Sequence, residues 1–574
     1  MPQIAICTAS GEKFEILDKE IEFCKKMGFP LPTLSPTERF RALMAFRNES
    51  KLYHRKCDAT GEDIISAYAK DSPYKVYKNS VWWGDSWDAL EYGRDYDFSK
   101  PFFEQFQALQ LAVPKEGTSI FNSENCDYNS HVRESRNCYM NSLSVKCEDV
   151  YYSYWMVNSK NVFDSMITNN STLCYFCSNV DSSYGCLFLE EANNCTDCFF
   201  CYQAHGCKNC IFSSNISNKN YYAFNKKCTK EEFEEIKKKY INGSFKSLEE
   251  GKKEFEKMKK ATKQRAVHNL NCENVTGDHL YNCRNCENAY EGSNSEDCIN
   301  SISFDNANSI YSCYSSGWPN CPGPVYMSVV TRGCQDVAFG YYNWFSSKLR
   351  YCEGMNTCDS CFGCVGLRHK NYCILNKQYT KEEYEELVPR IIDHMRAHGA
   401  SAQFERESGS ASSSKTEPKD KDQEFGQFPV SIFSTFAYNE TAAQDFFPLE
   451  KEQALKMGFK WRDEEVKAKK PATAEIPENI KDVPETFIKE VLACENCKEN
   501  YKIIEQEIRF YKQMNLPIPR ICLKCRQKQR AEKRNLFKLF KRKCSNCGTE
   551  TNTTFSPDRP ETVYCEKCYL ETID

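Results

Sequence analysis

A pattern of anchor residues, mostly Cys or Val, repeats every twelve positions in two stretches of the chain. The first stretch is ungapped, with anchors at Cys126, Cys138, Val150, Val162, Cys174, Cys186, Cys198, Cys210 and Tyr222. The second lacks one residue between its first two anchors and has three extra around 318–324; its anchors are Val275, Cys286, Cys298, Ile310, Val325, Val337, Leu349, Cys361 and Cys373. Such a short period predicts stacked strands, so we expect two cysteine-rich β-solenoid blocks. The period leaves open whether twelve residues form a whole coil or half of one, and its handedness.

Within each repeat, two further positions have a restricted composition. The residue three before the anchor is usually Cys or Ser, and the residue just before it favours Asn or Asp, as at Asn125, Asn137 and Asp149. Small side chains fit the narrow interior of a short coil, while Asn and Asp tolerate left-handed corners and can form hydrogen-bonded ladders. An aromatic column, which we expect to be covered if it points outward, follows two residues after the anchors: Phe176, Phe188, Phe200, Phe212 and Phe224.

Both blocks end in the same way. Thr229-x-x-Glu232 and Thr380-x-x-Glu383 are capping boxes that open amphipathic helices, which we expect to close a sheet edge. Together these signals predict a multidomain α+β chain with these segments: 1–118, a degenerate zinc-ribbon-like module with an aromatic extension; 119–228, block 1; 229–270, a charged helical insert; 271–378, block 2; 379–398, a capping helix; 399–424, a flexible linker; 425–485, a connecting segment; 486–574, a double zinc-ribbon domain.

Composition narrows the class of protein. The 574 residues include 35 Cys, 76 basic and 80 acidic residues, and 40% are hydrophobic, which excludes a disordered chain. A mean hydropathy of -0.67 leaves no apolar run for a membrane span, and the first residues do not read as a secretory signal. We therefore expect a cytoplasmic protein whose cysteines are thiols or metal ligands.

The last 81 residues contain four Cys-x2-Cys pairs: Cys494, Cys497, Cys522, Cys525, Cys544, Cys547, Cys565 and Cys568. Two such pairs complete a tetrahedral site, so eight thiolates predict two structural Zn²⁺ sites with no open catalytic position. Whether neighbouring or alternate pairs share a metal is left open by the spacing.

The segment 520–543, which runs from the second of these pairs to the third, holds eleven basic residues and one acid, Glu532, in a chain of net charge -4. We expect a phosphate-binding patch for RNA, the ribosome or DNA. Its candidate residues are Lys524, Arg526, Lys528, Arg530, Lys533, Arg534, Lys538, Lys541 and Arg542. Another acidic partner, or a solvated helix whose apolar residues dock on the zinc core, are the alternatives.

The block cysteines allow two interpretations. Cys195-x-x-Cys198-x-x-Cys201 and Cys358-x-x-Cys361-x-x-Cys364 have the spacing of cluster-binding loops, but these positions are repeat columns and a fourth Cys before Pro is missing. We favour a buried thiol ladder over a metal or redox site. His205 and His369 lie beside Cys-rich repeats, where we expect surface residues of a coil.

The amino terminus is an ungapped copy of the carboxyl terminus, 487 residues earlier. Matches include Glu20 with Glu507 and Arg55-Lys56-Cys57 with Arg542-Lys543-Cys544. The eight ligand positions have become Cys7, Ser10, Ser35, Glu38, Cys57, Thr60, Lys78 and Val81. We expect this copy to be metal-free and held by an apolar core that includes the Trp-rich stretch 81–87.

The paired-cysteine tail, the segment 517–522 (PIPRIC), the repeat ends 366–368 (GLR) and 375–384 (LNKQYTKEEY), and 436–441 (FAYNET) resemble the uncharacterised zinc-ribbon proteins common in candidate-phyla-radiation (Patescibacteria) genomes. The resemblance covers nearly the whole chain and implies a cytoplasmic bacterial zinc-ribbon protein of unassigned role. Some relatives carry a CoA-transferase label, for which this sequence offers no supporting residues. Relatives often keep Cys pairs at the amino terminus, and this chain's loss of them argues against a metal-dependent role there.

The sequence contains no phosphate-binding Gly-rich loop, no Gly-x-Ser-x-Gly and no His-Glu-x-x-His. We therefore expect a non-enzymatic zinc-binding scaffold that binds nucleic acid or the ribosome through its basic module. The alternatives are a protein-assembly component that uses the solenoid faces, and a metal or thiol-redox protein that uses the block cysteines. The sequence does not name the partner or the oligomeric state.

Overall fold

The structure is a computed structural model that describes residues 3–302, 307–316, 321–397, 423–427, 433–463 and 469–572, with the side chains of most residues in 300–332 left out of the description. The predicted linker at 399–424 lies outside the described residues except for its last two positions, and so do residues 317–320 of the predicted insertion. The protein is a mixed α+β structure rich in strands.

The chain divides into two compact units, each discontinuous in sequence. The first-ladder unit comprises Ser119–Ala266, Asp463–Asn535 and Lys541–Asp574. The second-ladder unit comprises Met1–Thr118, Val267–Arg462 and Leu536–Phe540. Each repeat block therefore shares a unit with the terminal module farther from it in the sequence.

The first ladder is a 15-stranded sheet of the first-ladder unit. Its strands pair in parallel at an offset of twelve residues, as in Val150 with Val162 and Val162 with Cys174. The strands are Ile120–Phe121, Ser130–Arg133, Ser142–Val145, Glu148–Tyr151, Tyr154–Val157, Lys160–Phe163, Met166–Asn169, Thr172–Tyr175, Ser178–Asp181, Leu187–Asn193, Phe199–His205, Lys208–Ile211, Ser214–Ser217, Asn220–Ala223 and Lys226–Lys227.

The backbone of the first ladder turns at every third residue. From His131 to Phe224 each third residue has a positive φ, and Gly185 and Gly206 occupy two of these positions. The predicted corner residues Asn125, Asn137 and Asp149 are among those with positive φ, which confirms their conformation. Their side chains form the predicted ladder, since Asn125 Nδ2 donates to Asn137 Oδ1 (3.0 Å) and Asn137 Nδ2 to Asp149 Oδ1 (3.2 Å).

From Val132 to Ile216 the residue after each corner is buried, and together these residues form the core of the first ladder. Val150, Met156, Val162 and Cys174 are each 0% exposed. The buried positions thus recur every three residues, so each twelve-residue repeat contributes four side chains to this core. Small Ser and Cys side chains occupy many of them, as the sequence predicted.

Two helices follow the first ladder. Lys226–Lys227 pairs antiparallel with the last parallel strand, so this short strand makes the edge hydrogen bonds that we had expected the helix to replace. Helix Lys230–Tyr240 has the predicted capping box at Thr229 and buries Phe233 beside the edge. The next helix, Phe245–Ala261, which we call the covering helix, packs on the aromatic column.

The second ladder is an 11-stranded sheet of the second-ladder unit. Its strand offset is twelve, as in Val337 with Leu349, but it is eleven between Leu270 and Tyr281 and fifteen between Ile310 and Val325, which confirms both predicted irregularities. The strands are Gly277–Tyr281, Ala289–Ser293, Glu296–Ile302, Ala307–Ser316, Cys321–Arg332, Gln335–Ala338, Tyr341–Trp344, Ser347–Arg350, Asp359–Phe362, Asn371–Ile374 and Lys377–Gln378. Helix Lys381–Ala397 follows, opened by the predicted Thr380–Glu383 capping box.

The two terminal modules have the same order of elements. The amino-terminal module contains strands Gln3–Ile6, Lys13–Ile16, Tyr53–Lys56, Asp63–Ser66 and Val76–Tyr77, and helices Asp18–Met27, Pro36–Met44 and Asn79–Trp82. The carboxyl-terminal module contains strands Leu492–Ala493, Asn500–Tyr501, Phe540–Lys543, Glu550–Thr553 and Val563–Tyr564, and helices Glu505–Met514, Leu523–Glu532 and Glu566–Leu570. Every element of one copy overlaps its counterpart 487 residues away, so the two sequences adopt one fold.

Shorter elements connect these parts. The second-ladder unit adds Ala89–Tyr92, Phe102–Ala112, Lys115–Glu116, Tyr438–Glu440, Ala442–Phe446 and Lys451–Lys456. The first-ladder unit adds Gln264–Arg265, Ile480–Asp482 and Glu485–Lys489. In the described parts of the chain, none of the helices has both the length and the apolar character that crossing a membrane requires.

Candidate metal centres

The first candidate metal centre is formed by Cys494, Cys497, Cys522 and Cys525. Cys494 and Cys497 lie in the tight turn between strands Leu492–Ala493 and Asn500–Tyr501, where the N–H of Lys498 donates to the carbonyl of Cys494 (3.0 Å). Cys522 caps helix Leu523–Glu532, which carries Cys525 in its first turn. All four sulfur atoms lie within 4.8 Å of one another.

The second centre repeats this construction with Cys544, Cys547, Cys565 and Cys568. Its turn joins strands Phe540–Lys543 and Glu550–Thr553 and contains Gly548 at φ 77°, and Cys565 caps the last helix. These four sulfurs also lie within 4.8 Å of one another. Neighbouring pairs therefore share each site, which answers the question that the spacing left open.

The sulfur positions fit a tetrahedral metal ion. Zinc–sulfur bonds of about 2.3 Å require sulfur–sulfur separations of about 3.8 Å. The Sγ–Sγ distances are 3.7 Å for Cys494–Cys525, 3.6 Å for Cys497–Cys522 and 3.7 Å for Cys547–Cys565. Both groups are positioned to bind a metal ion, and four thiolates are compatible with zinc.

Backbone hydrogen bonds favour the thiolate form in both centres. Burial opposes the charge on Cys494, but N–H donors of Cys497, Cys522 and Asn496 outweigh it and lower the pKa of the Cys494 thiol to about 6. Backbone donors likewise outweigh burial at Cys544, where the pKa is lowered to about 6. The protein thus prepares one thiolate in each centre for metal binding.

The amino-terminal module keeps the turns but replaces the ligands. Ser35 N–H donates to Cys7 Sγ (3.3 Å), just as Cys522 N–H donates to Cys494 Sγ (3.2 Å). Ser10 and Thr60, which stand at ligand positions, hydrogen-bond instead to the Cys7 and Cys57 thiols. A buried ion pair between Arg39 and Glu20 (2.7 Å) and the indole of Trp82, which is 5% exposed, contribute to the core. That this copy binds no metal stays a prediction.

Two residues of the predicted nucleic-acid patch are not on the surface. Arg526 and Arg530, on helix Leu523–Glu532, are 3% and 4% exposed. Arg526 Nε and Arg530 Nη1 donate to Asp164 Oδ1 of the first ladder (3.0 and 2.9 Å). Their assignment to an exposed patch was wrong, because a fully buried carboxylate draws both guanidinium groups inward. We call Leu523–Glu532 the docking helix.

A second buried acid completes the contact. Glu507 accepts from Tyr152 Oη (2.8 Å) and lies 3.6 Å from Arg526 Nη2. Burial raises the pKa of Glu507, and Arg526 opposes that shift. The sequence carried a signal for this pair, since Glu507 and Arg526 correspond to Glu20 and Arg39 of the amino-terminal copy. It carried none for Asp164, which occupies one corner position among many.

Most other members of the predicted patch have acidic partners. Lys533 bridges Glu190 (3.2 Å) and Glu256 (2.8 Å), and Lys538 pairs with Glu12 (3.3 Å). Arg542 donates to two backbone carbonyls of its own module. The remaining members include exposed and partly buried residues: Lys528 and Lys541, three-quarters exposed and paired with Glu532 and Glu550, exposed Lys524, and partly buried Arg534.

A scan against protein-family models and a search of curated proteins find no match to this chain.

Most of the ladder cysteines whose side chains the structure describes are buried in the cores; Cys272 is partly exposed. Cys195, Cys198 and Cys201 are 0% exposed, and their Sγ atoms lie 3.4–3.5 Å from carbonyl oxygens two residues earlier. Among the residues that the structure describes, the groups able to hold a metal include no ladder cysteine. His205 and His369 are exposed, as expected for a coil surface.

Proposed function

We propose that this chain is a non-enzymatic, zinc-stabilised scaffold protein of two β-solenoids. In this proposal each ladder is a coil of twelve residues per turn, and a zinc-loaded module braces the first ladder. Parallel strands twelve residues apart, with a corner at every third residue, support a four-sided coil. The family resemblance noted from the sequence motifs remains part of this proposal, as does a cytoplasmic location.

The burial of Arg526 and Arg530 against Asp164 carries the proposal. Buried charges are costly to leave unpaired, so these three groups hold the docking helix to one place on the ladder. Arg526 and Arg530, at the centre of the basic segment 520–543, therefore bind a carboxylate inside the unit and are not available on the surface to bind a partner. This observation favours a scaffold over nucleic-acid recognition.

Zinc binding and docking are linked through one helix. Cys522 and Cys525 belong to the first metal centre, and Arg526 follows Cys525 directly. When bound, zinc supplies a structural cross-link between four thiolates. That cross-link sets the start of the docking helix and so the position from which Arg526 and Arg530 reach Asp164.

The two module copies provide a matched test. Cys494→Ser removes a ligand of the first centre, and Cys7→Ser makes the same change at the equivalent position of the other copy. We expect Cys494→Ser to lose about one Zn²⁺ per chain and to unfold more easily, and Cys7→Ser to keep its zinc content. Equal zinc contents in the two variants and the wild type would contradict the proposal.

The second candidate function is binding of RNA, the ribosome or DNA. Lys528 and Lys541 favour it, because their charges are exposed near the metal centres. The double variant Lys528→Glu/Lys541→Glu should then weaken binding to a mixed-sequence RNA, and binding should fall steeply with salt. Lys257→Glu, at an equally exposed lysine of the covering helix, is the control. Binding that depends on neither salt nor the double variant would exclude this candidate.

The burial of the ladder thiols gives no support to a third candidate, metal or redox chemistry in the ladders. Protein assembly on the solenoid faces stays compatible with the scaffold.

A further inference from the structure

Two histidines and two carboxylates meet at the start of the second ladder. His268, His279 and Glu291 are separated by eleven and then twelve residues. These are the local offsets between neighbouring strands, as shown by Leu270 with Tyr281 and Gly277 with Ala289. The three side chains therefore form one column across three consecutive repeats of the second ladder, within a single unit.

Asp278 organises the two histidines. This carboxylate is 2% exposed, and its Oδ1 atom accepts the backbone N–H groups of His268 (2.6 Å) and His279 (3.0 Å). The same oxygen lies 3.3 Å from Nδ1 of His268 and 3.6 Å from Nδ1 of His279. The imidazole rings are stacked, with centroids 4.8 Å apart and planes at 20°. Glu291 Oε1 lies 3.9 Å from His279 Nδ1.

The backbone is shaped for this arrangement at Gly277. Its φ is 137°, and a Cβ atom there would lie 1.7 Å from the carbonyl oxygen of Ala289. Only glycine fits, so the chain before Asp278 can approach the next rung closely. The repeat that is one residue short, Gly277 and the buried Asp278 carboxylate therefore all lie next to the histidine pair.

The donor atoms have the chemistry and spacing of a metal site. Imidazole nitrogens and carboxylate oxygens bind first-row divalent cations at about 2.0–2.2 Å, which places tetrahedral ligands about 3.3–3.6 Å apart. Ring nitrogens of His268 and His279 lie within 4.8 Å of each other, so a small adjustment brings them to that separation. Both histidine side chains are 12% exposed, which leaves a route for an ion.

We propose that His268 and His279, with Asp278 and Glu291, form a metal site for a divalent cation such as Zn²⁺ or Co²⁺. It is separate from the cysteine centres and uses nitrogen and oxygen donors. One carboxylate binds the ion and the other orients an imidazole, as carboxylates commonly do behind metal-binding histidines.

Cobalt uptake by the whole chain tests this site. After the cysteine centres are filled, we expect the wild type to bind about one further Co²⁺ with weak visible bands and no added sulfur-to-cobalt charge transfer. His268→Gln/His279→Gln should lose this uptake and keep the thiolate charge-transfer band, which reports that the cysteine centres have folded. His205→Gln, at an exposed ladder histidine, should behave as the wild type.

Equal cobalt uptake by the double variant and the wild type would overturn the proposal. If the double variant does not fold, His279→Gln alone takes its place and should also lose the further uptake. A further equivalent with a sulfur-type spectrum, or no further equivalent, would show that these histidines hold no metal.

Discussion

At the scale of the residue, Asp164 is the side chain on which the account of the first-ladder unit depends. It is 0% exposed and forms ion pairs with Arg526 and Arg530, which are themselves buried. The sequence showed the arginines as part of a basic run and did not reveal their burial. The density of charge along a sequence does not show which charged side chains are buried. Arg526 is buried because it binds Asp164, which lies 362 residues earlier in the chain.

Asp164→Ala should therefore destabilise the first-ladder unit strongly. It leaves Arg526 and Arg530 buried and without their carboxylate, which costs about 3–5 kcal/mol. The free energy of unfolding in urea measures this. Glu148→Ala, which breaks the half-exposed pair with Arg136 on the same ladder, should cost at most about 1 kcal/mol. Equal losses in the two variants would show that the Asp164 contact is not special.

Other single residues were predictable because their chemistry is local. The Cys-x2-Cys pairs predicted two metal centres, since each pair needs only its own tight turn. The corner Asn and Asp residues were predictable for the same reason, because their tolerance of a positive φ is a property of the residue itself and needs no distant partner. Asp278, His268 and His279 were missed, because their arrangement depends on a register that is one residue short.

At the scale of the element, the covering helix and the aromatic column fit closely. Phe188, Phe200 and Phe212 stack at 4.8 and 4.9 Å with nearly parallel rings. A Cβ atom at Gly251 would lie 2.9 Å from Phe200 Cζ, so the helix approaches the stack at a residue without a side chain. The sequence predicted that this column needs a cover, and the second helix after the last strand supplies it.

Gly251→Leu should weaken this packing. The added side chain overpacks the contact with Phe200 and costs about 1–3 kcal/mol in unfolding free energy. Lys253→Leu, at an exposed position of the same helix, should leave the stability nearly unchanged. A Gly251→Leu variant as stable as the wild type in urea would contradict the packing described for the covering helix.

The ladder cores make a prediction about cysteine chemistry. In the native protein the buried ladder thiols should resist a thiol reagent, whereas the partly exposed Cys228 and Cys272 should react early. After unfolding without metal release, the 35 cysteines less the eight ligands leave 27 reactive thiols. Timed thiol titration with mass spectrometry measures this. Rapid native labelling at Cys198 or Cys361 would contradict the sealed cores.

At the scale of the whole molecule, the chain contains two versions of one plan: a terminal module, a ladder and a helix after the last strand. The module copies and the ladder periods were visible in the sequence, since each repeats locally. The grouping of each ladder with the distant module was not, because it depends on contacts such as Asp164 with Arg530 that join segments far apart in the chain.

The two versions differ in what stabilises the module. In the carboxyl-terminal copy, the docking helix carries Cys525 of a group positioned to bind a metal ion, and its Arg526 contacts Asp164. In the amino-terminal copy, the equivalent helix Pro36–Met44 presents Arg39, which pairs with Glu20 inside its own module. Loss of the ligands there is consistent with a copy that no longer depends on metal.

Hydrogen exchange in Cys522→Ser, compared with the wild type, tests the central claim that the first metal centre holds the docking helix on the first ladder. We predict faster exchange of amides in the docking helix and in the facing strand Lys160–Phe163, with unchanged exchange in helix Pro36–Met44. Unchanged protection of the docking helix in Cys522→Ser, with its zinc lost, would contradict the account.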